Sequence, residues 1–247
     1  MPDRRKHRGP HPEDARLFAP EMLPMLREAT ADLCWLMSRG YADKSALKLV
    51  GDRYDLVARQ RTAVGRCSCG DDRAARRRQH RVGPEGLAGQ PLWLDGYNVL
   101  TTVESALADG VVLQARDATY RDMASMHGSY RKVAETLPAL KLLGWMTVAL
   151  EVDQCVWYLD RPVSNSGRLK QIMENVGAAE GWPWRVELVH NPDVLLAETS
   201  QIVATADSAI LDRCTAWFNL ARETIDRHVP EARVLELSGP AGETVSA

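Results

Sequence analysis

The decapeptide PLWLDGYNVL, residues 91–100, sets the reading of the whole chain. Pro91 to Leu94 is a short apolar run behind a glycine-rich stretch, and it predicts a buried strand. Asp95 and Gly96 interrupt it. A helical pattern then runs over about 98–108. A core strand that ends on a carboxylate and turns at once into a helix asks why the carboxylate is there.

The same alternation continues outward. Apolar runs lie at 111–114, 155–159, 184–189, 201–204 and 233–237, with helical patterns at 130–150, 166–179, 192–198 and 208–228 between them. Strands alternating with helices predict a mostly parallel, Rossmann-like α/β sheet flanked by helices. Upstream, residues 20–39 carry Leu23, Leu26, Leu33, Leu36 and Met37 at helical spacing before Gly40, and further helical segments lie at 45–50 and 53–67. The expected organisation is a disordered tail at 1–19, a small all-helical module at 20–69, a mobile linker at 70–90 and an α/β domain at 91–247.

Bulk properties narrow the class. The chain has 247 residues, 45% hydrophobic and 26% charged, which suits a soluble globular protein with a substantial core. No apolar run approaches the roughly 18–20 residues of a membrane span. Five scattered cysteines and a polar, basic N-terminus predict reduced thiols and a cytoplasmic location. Cys67, Cys69 and His80 match no standard zinc spacing. Charge is unevenly spread: residues 1–90 hold 18 Lys/Arg against 12 Asp/Glu, and the remainder 13 against 21. A basic front and an acidic back suggest a phosphate-bearing partner for the front half.

In parallel α/β sheets, ligands bind beyond the carboxyl ends of the strands. There the sequence repeatedly places aspartate: Asp95 after PLWL, Asp160 after CVWYL, Asp193 after WRVELV and Asp207 after QIVATA, with Asp212 on the following helix. Each alone reads equally well as a helix cap. Together they would repel one another, a cost that a cation relieves. Hard oxygen donors suit Mg²⁺ or Mn²⁺, ions that support metal-dependent phosphodiester hydrolysis.

The order DGYN at 95–98, an aspartate at 160, Asp193 opening a short helix, and VATAD ending at Asp207 resembles the PIN/NYN nuclease superfamily over about residues 91–228. The whole chain, through SALKLVGDRY, RQRTAV and PVSNSGR, also resembles an uncharacterised prokaryotic family with a helical N-terminal module and a PIN-like domain. The superfamily resemblance implies a metal-dependent ribonuclease. Asp95, Asp193 and Asp207 would be metal ligands and Asp160 a further catalytic acid. Asp212 would be an outer acid. Asn98 would orient water or a carboxylate, and Thr205 would bind Asp95 or a phosphate oxygen.

Ser164, Asn165, Ser166 and Arg168 lie between a strand end and a helix start. They read either as an anion site or as a capped turn. The stretch from Arg116 to Arg131, with Arg121 and His127, reads as a nucleic-acid groove wall or a solvated loop. Arg53, Arg59 and Arg61, with the basic run at 76–81, read as a phosphate-binding face. The expected partner is RNA or another phosphate-bearing ligand, with no membrane and with homo-oligomerisation left open. The alternative to an enzyme is a PIN-like module that binds RNA or a nucleotide without cleaving it.

Overall fold

A computed structural model describes residues 7–124 and 128–238. His127 lies outside them, as do residues 1–6 of the expected tail. Five helices come first: α1 (Asp14–Leu17), α2 (Leu23–Ser38), α3 (Asp43–Arg53), α4 (Ala58–Cys67) and α5 (Asp71–Gln79). There follow β1 (Pro91–Asp95), α6 (Gly96–Leu107), β2 (Val112–Gln114), β3 (Tyr120–Asp122), α7 (Thr136–Ala149) and β4 (Gln154–Asp160). The chain continues through α8 (Ser166–Glu180), β5 (Trp184–Val189), α9 (Pro192–Glu198), β6 (Ile202–Ala204) and α10 (Ser208–Leu211). It ends with β7 (Trp217–Phe218), α11 (Leu220–His228) and β8 (Val234–Glu236).

The main sheet is parallel throughout, in the order β5-β4-β1-β6-β7. Its strands alternate between two buried faces, as a doubly covered sheet requires. Leu92, Leu94, Trp157, Leu159, Ala204 and Phe218 pack with residues of α6, α7, α8 and α11. Val156, Tyr158, Val203 and Trp217, with Trp93 beside them, pack with residues of α9 and α10. β1 sits in the middle. The chain builds outward from it to β4 and β5, then crosses to β6 and β7 on the other side. That reversal places a topological switch point at the carboxyl end of β1, where such sheets bind ligands.

A second, three-stranded sheet has the order β3-β2-β8. Val112 and Tyr120 face the core of the main sheet. Val111, Leu113, Leu235 and Leu237 face a separate core built from Leu17, Leu26, Leu33, Val50, Val64 and other residues of the N-terminal helices. This small sheet is therefore the partition shared by the two halves.

Three expectations from sequence are corrected. Residues 70–90 are not a loose linker: α5 occupies 71–79, and Arg81 pairs with Trp217 at the sheet edge. Residues 7–19 of the expected tail are ordered. Arg8 is buried against Glu104 at 2.9 Å, and the buried Asp14 is gripped by Arg59 at 2.5 and 2.8 Å. The helix expected over 208–228 is split by β7, which closes the main sheet. All five cysteines are buried free thiols. No described helix is long and apolar enough to cross a membrane.

Candidate functional site

Gly96 is where strand becomes helix. A Cβ there would lie 2.8 Å from the Tyr158 carbonyl oxygen and 2.6 Å from Leu159 Cδ2. Only glycine lets α6 start flush against β4, and that close start fixes the directions of Asp95, Tyr97 and Asn98. Asp95 is 9% exposed. Its Oδ2 accepts a hydrogen bond from Thr205 Oγ1 at 2.8 Å, and the same hydroxyl oxygen accepts from the Asp207 amide at 3.0 Å. Asn98 Oδ1 accepts from the Ala206 amide at 2.8 Å. The turn after β6 is thus stitched to the end of β1 by two side chains.

Burial pushes the Asp95 carboxyl up to about 7, and the charges of Asp207 and Asp193 add to the effect against the Thr205 hydrogen bond. Asp193, on the first turn of α9, is also raised, by desolvation and then by Asp207 and Asp160. These four acids feel one another and line one open cleft of about 1090 Å³. Asp207 Oδ1 also caps α10, accepting from the amides of Ala209 at 2.7 Å and Ile210 at 3.3 Å. Among the described residues, no three acidic, histidine or cysteine side chains stand together closely enough to hold a metal ion as placed.

The cleft is also lined by basic residues, most of them from the N-terminal helices. They are Lys44, Arg61, Arg66 and Arg73, joined by Arg121 from β3 and interleaved with Asp43 and Asp122; Arg61 pairs with Asp52 at 2.9 Å, Arg73 with Asp43 at 3.0 Å and Arg66 with Asp122 at 3.6 Å. Arg121 is buried, held by Asp117 at 2.7 Å and by the Arg66 carbonyl. Lys44 and Arg73 were not among the residues singled out from sequence. The available signal was α5 itself: acids in its first turn and arginines in its last follow the helix dipole, although it has almost no apolar stripe.

Other candidates lie elsewhere. Asp212 is not an outer acid. Its carboxylate is bound by Arg77 at 2.6 and 2.7 Å, with Arg73 at 3.5 Å. Arg77 is 1% exposed and also binds Asp117 at 2.6 Å. Burial opposes ionisation of Asp117, but Arg121 and Arg77 outweigh it and hold the carboxyl below its usual range.

The turn at 164–168 is a clamp and not an open anion site. Asn165 Nδ2 donates to the Tyr130 carbonyl at 2.9 Å, Ser166 Oγ donates to the Arg161 carbonyl at 3.2 Å, and the Ser164 amide donates to Gly128. Ser164, Asn165, Ser166 and Arg168 do not line the acidic cleft. Of the three basic candidates only Arg61 lines the cleft; all three are paired, Arg53 with Asp32 at 3.5 Å, Arg59 with Asp14 at 2.5 Å and Arg61 with Asp52 at 2.9 Å. Burial pushes the Cys67 and Cys69 thiols up to about 12. The His80 ring is engaged by the Cys214 carbonyl at 2.9 Å.

Comparison with known proteins adds the following. Residues 25–80 match a family described as "Protein of unknown function (DUF434)". A curated relative from Methanocaldococcus jannaschii, "Uncharacterized protein MJ0935", is 30% identical over 189 residues, covering 75% of this chain and 88% of the relative. No solved structure matches. Residues 84–223, which carry the main sheet and the acids Asp95, Asp160, Asp193 and Asp207, match "Domain of unknown function (DUF5616)", and the chain belongs to that family.

Proposed function

We propose that this protein is a metal-dependent ribonuclease of the PIN/NYN type, cleaving phosphodiester bonds in the cleft at the end of β1. The observation that carries the reading is a buried carboxylate at the switch point of a parallel sheet, coupled to further acids that line the same cleft as several basic side chains. Only a cation or a proton relieves that crowding of negative charge. The donors are hard carboxylate oxygens, which fit Mg²⁺ or Mn²⁺. Asp95, Asp193 and Asp207 would hold the ion, with Asp160 beside them. Bound there, it would supply an activated water and stabilise the leaving oxygen.

The protein's own groups have separable tasks. Thr205 fixes the plane of the Asp95 carboxylate. Asn98 holds the turn that carries Asp207. Lys44, with Arg61, Arg66 and Arg73, whose charges are shared with Asp52, Asp122 and Asp43, would attract the phosphates that the acids alone would repel. The test is incubation of labelled RNAs with Mg²⁺ or Mn²⁺, wild type beside Asp95→Asn. Products from the wild type alone are the expected outcome. Equal cleavage by both proteins removes Asp95 from the reaction.

One observation favours a second reading, an RNA- or nucleotide-binding module without turnover: one oxygen of Asp207 is already used as a helix cap. That reading predicts RNA retention that survives EDTA and Asp207→Asn, with no products from either protein.

A further inference from the structure

Helix α7 is 14 residues long and carries a single charged side chain, Lys141. A helix that is apolar on every side belongs inside a protein, yet α7 is not enclosed. One side packs into the core of the main sheet through Ala139, Leu140, Leu143 and Met146. The other is exposed along its whole length, at Leu137, Pro138, Lys141, Trp145, Val148 and Ala149. Leu137 is 38% exposed, Trp145 49% and Val148 54%. The one charge on this side is already paired: Lys141 meets Glu180 of α8 at 2.9 Å. Exposed apolar side chains on α2 and α3 have a different setting. Trp35 and Leu49 line a groove together with Asp32 and Arg53, and Arg39 stacks over the Trp35 ring at 3.5 Å.

The order of the exposed residues on α7 indicates what covers them. It is symmetrical about Leu143: Leu137 and Ala149 lie equally far to either side, as do Pro138 and Val148, and Lys141 and Trp145. A two-fold interface uses the same patch on both copies, so that patch must complement itself. Two α7 helices packed antiparallel about an axis at the level of Leu143 set each residue against its counterpart. Leu137 meets Ala149 of the second copy, Pro138 meets Val148, and Lys141 meets Trp145. Apolar groups meet apolar groups, and the one cation meets the one aromatic ring, whose face attracts it. The axis makes that Lys–Trp contact twice. We propose that the exposed face of α7 is the interface of a homodimer, two copies meeting antiparallel with Trp145 as the anchor. The dimer goes beyond the ribonuclease reading and does not depend on it. A 14-residue helix is about 21 Å long. The contact is therefore smaller than a standard interface, and the dissociation constant should be on the order of micromolar.

The experiment is sedimentation velocity of the full chain over roughly 1–200 μM, the range that a small interface demands. It compares the wild type with Trp145→Glu, Val148→Glu and Leu49→Glu. The wild type should show a monomer–dimer equilibrium. Both α7 variants should weaken it, Trp145→Glu by about 30-fold, the loss expected of a central tryptophan anchor. Leu49→Glu should dimerise as the wild type does. Thermal melts at the dilute end should agree for all four proteins, because the replaced side chains are exposed in the monomer. If Trp145→Glu alone melts lower there, Val148→Glu decides the outcome. A wild type that stays monomeric throughout overturns the proposal and leaves the face to a partner of different chemistry. A dimer that survives both α7 substitutions overturns it as well. So does dissociation by Leu49→Glu alone, which places the interface on α3.

Discussion

Asp95 stands under opposed demands. Its position on a central strand buries it, and burial favours the neutral acid. Its Thr205 partner and its place at the end of β1 suit a carboxylate. In the folded protein its pKa is near 7, against an ordinary value near 3.8. The folded state therefore binds the proton more tightly than the unfolded chain does. Below about pH 4 both states are protonated and the group leaves stability unchanged. As pH rises from there through 7, the folded state must either hold a proton that the unfolded chain has already released or bury a charge, and stability falls. The full difference corresponds to roughly 4 kcal/mol at alkaline pH, as an upper bound. Asp95→Asn keeps an acceptor for Thr205 and removes the charge. In EDTA at pH 8 it should melt on the order of 5–10 °C above the wild type, and the gap should close as the pH approaches 4. Mg²⁺ or Mn²⁺ should raise the wild-type melting temperature and leave the variant unmoved. A gap independent of pH would mean that Asp95 is not a strained carboxylate.

Helix α5 ties the N-terminal helices to the half that carries the main sheet through one buried side chain. Arg77 reaches Asp117 in the β2–β3 turn and Asp212 just after α10, and its carbonyl accepts from Trp217 Nε1 at 2.6 Å. Removing one partner from a buried ion network leaves an uncompensated charge, which costs about 3–5 kcal/mol. Arg77→Ala should lower the unfolding free energy by that amount, read as a lower urea midpoint with an unchanged slope. Arg77→Lys should recover only part of it, because a single ammonium does not reproduce the fork of the guanidinium. None of this was legible in the sequence. A pairing across 135 positions leaves no local trace, and α5 has too few apolar residues to show a helical period. β7 was hidden for a related reason: two residues, Trp217 and Phe218, are too short to interrupt the helical pattern around them. β1, β4, β5 and β6 were legible as apolar runs, and the acids at or just beyond their ends followed from the general rule for parallel sheets. What their sequence positions could not give was which basic residues face them. Lys44 and Arg73 line the cleft only because α3 and α5 pack beside it, whereas Arg53 and Arg59, similar in sequence, lie elsewhere; Arg73 is as firmly paired, with Asp43, as they are with Asp32 and Asp14.

At the scale of the molecule, two family matches, 25–80 and 84–223, divide a chain that packs as one body. The division falls between α5 and β1, but the packing does not respect it. Both faces of the β3-β2-β8 sheet are buried, one in each core. Its third strand, β8, comes from residues 234–236, beyond both matched segments. Arg8, ahead of both segments, neutralises Glu104 inside the second, where Tyr130 and Thr136 complete the carboxylate's hydrogen bonds. Cutting the chain at residue 84 would expose Val111, Leu113, Met123, Leu235 and Leu237 together, a contiguous apolar face of the kind that drives association. It would also strand a buried Glu104. The full chain should therefore unfold in a single calorimetric transition, with van't Hoff and calorimetric enthalpies in agreement. A fragment covering residues 84–238 should aggregate or bind a hydrophobic dye. Two resolved transitions in the full chain, or a monomeric and cooperatively folded 84–238 fragment, would show that the halves are independent. The basic residues of the N-terminal helices would then be mobile neighbours of the cleft and not part of its fixed geometry.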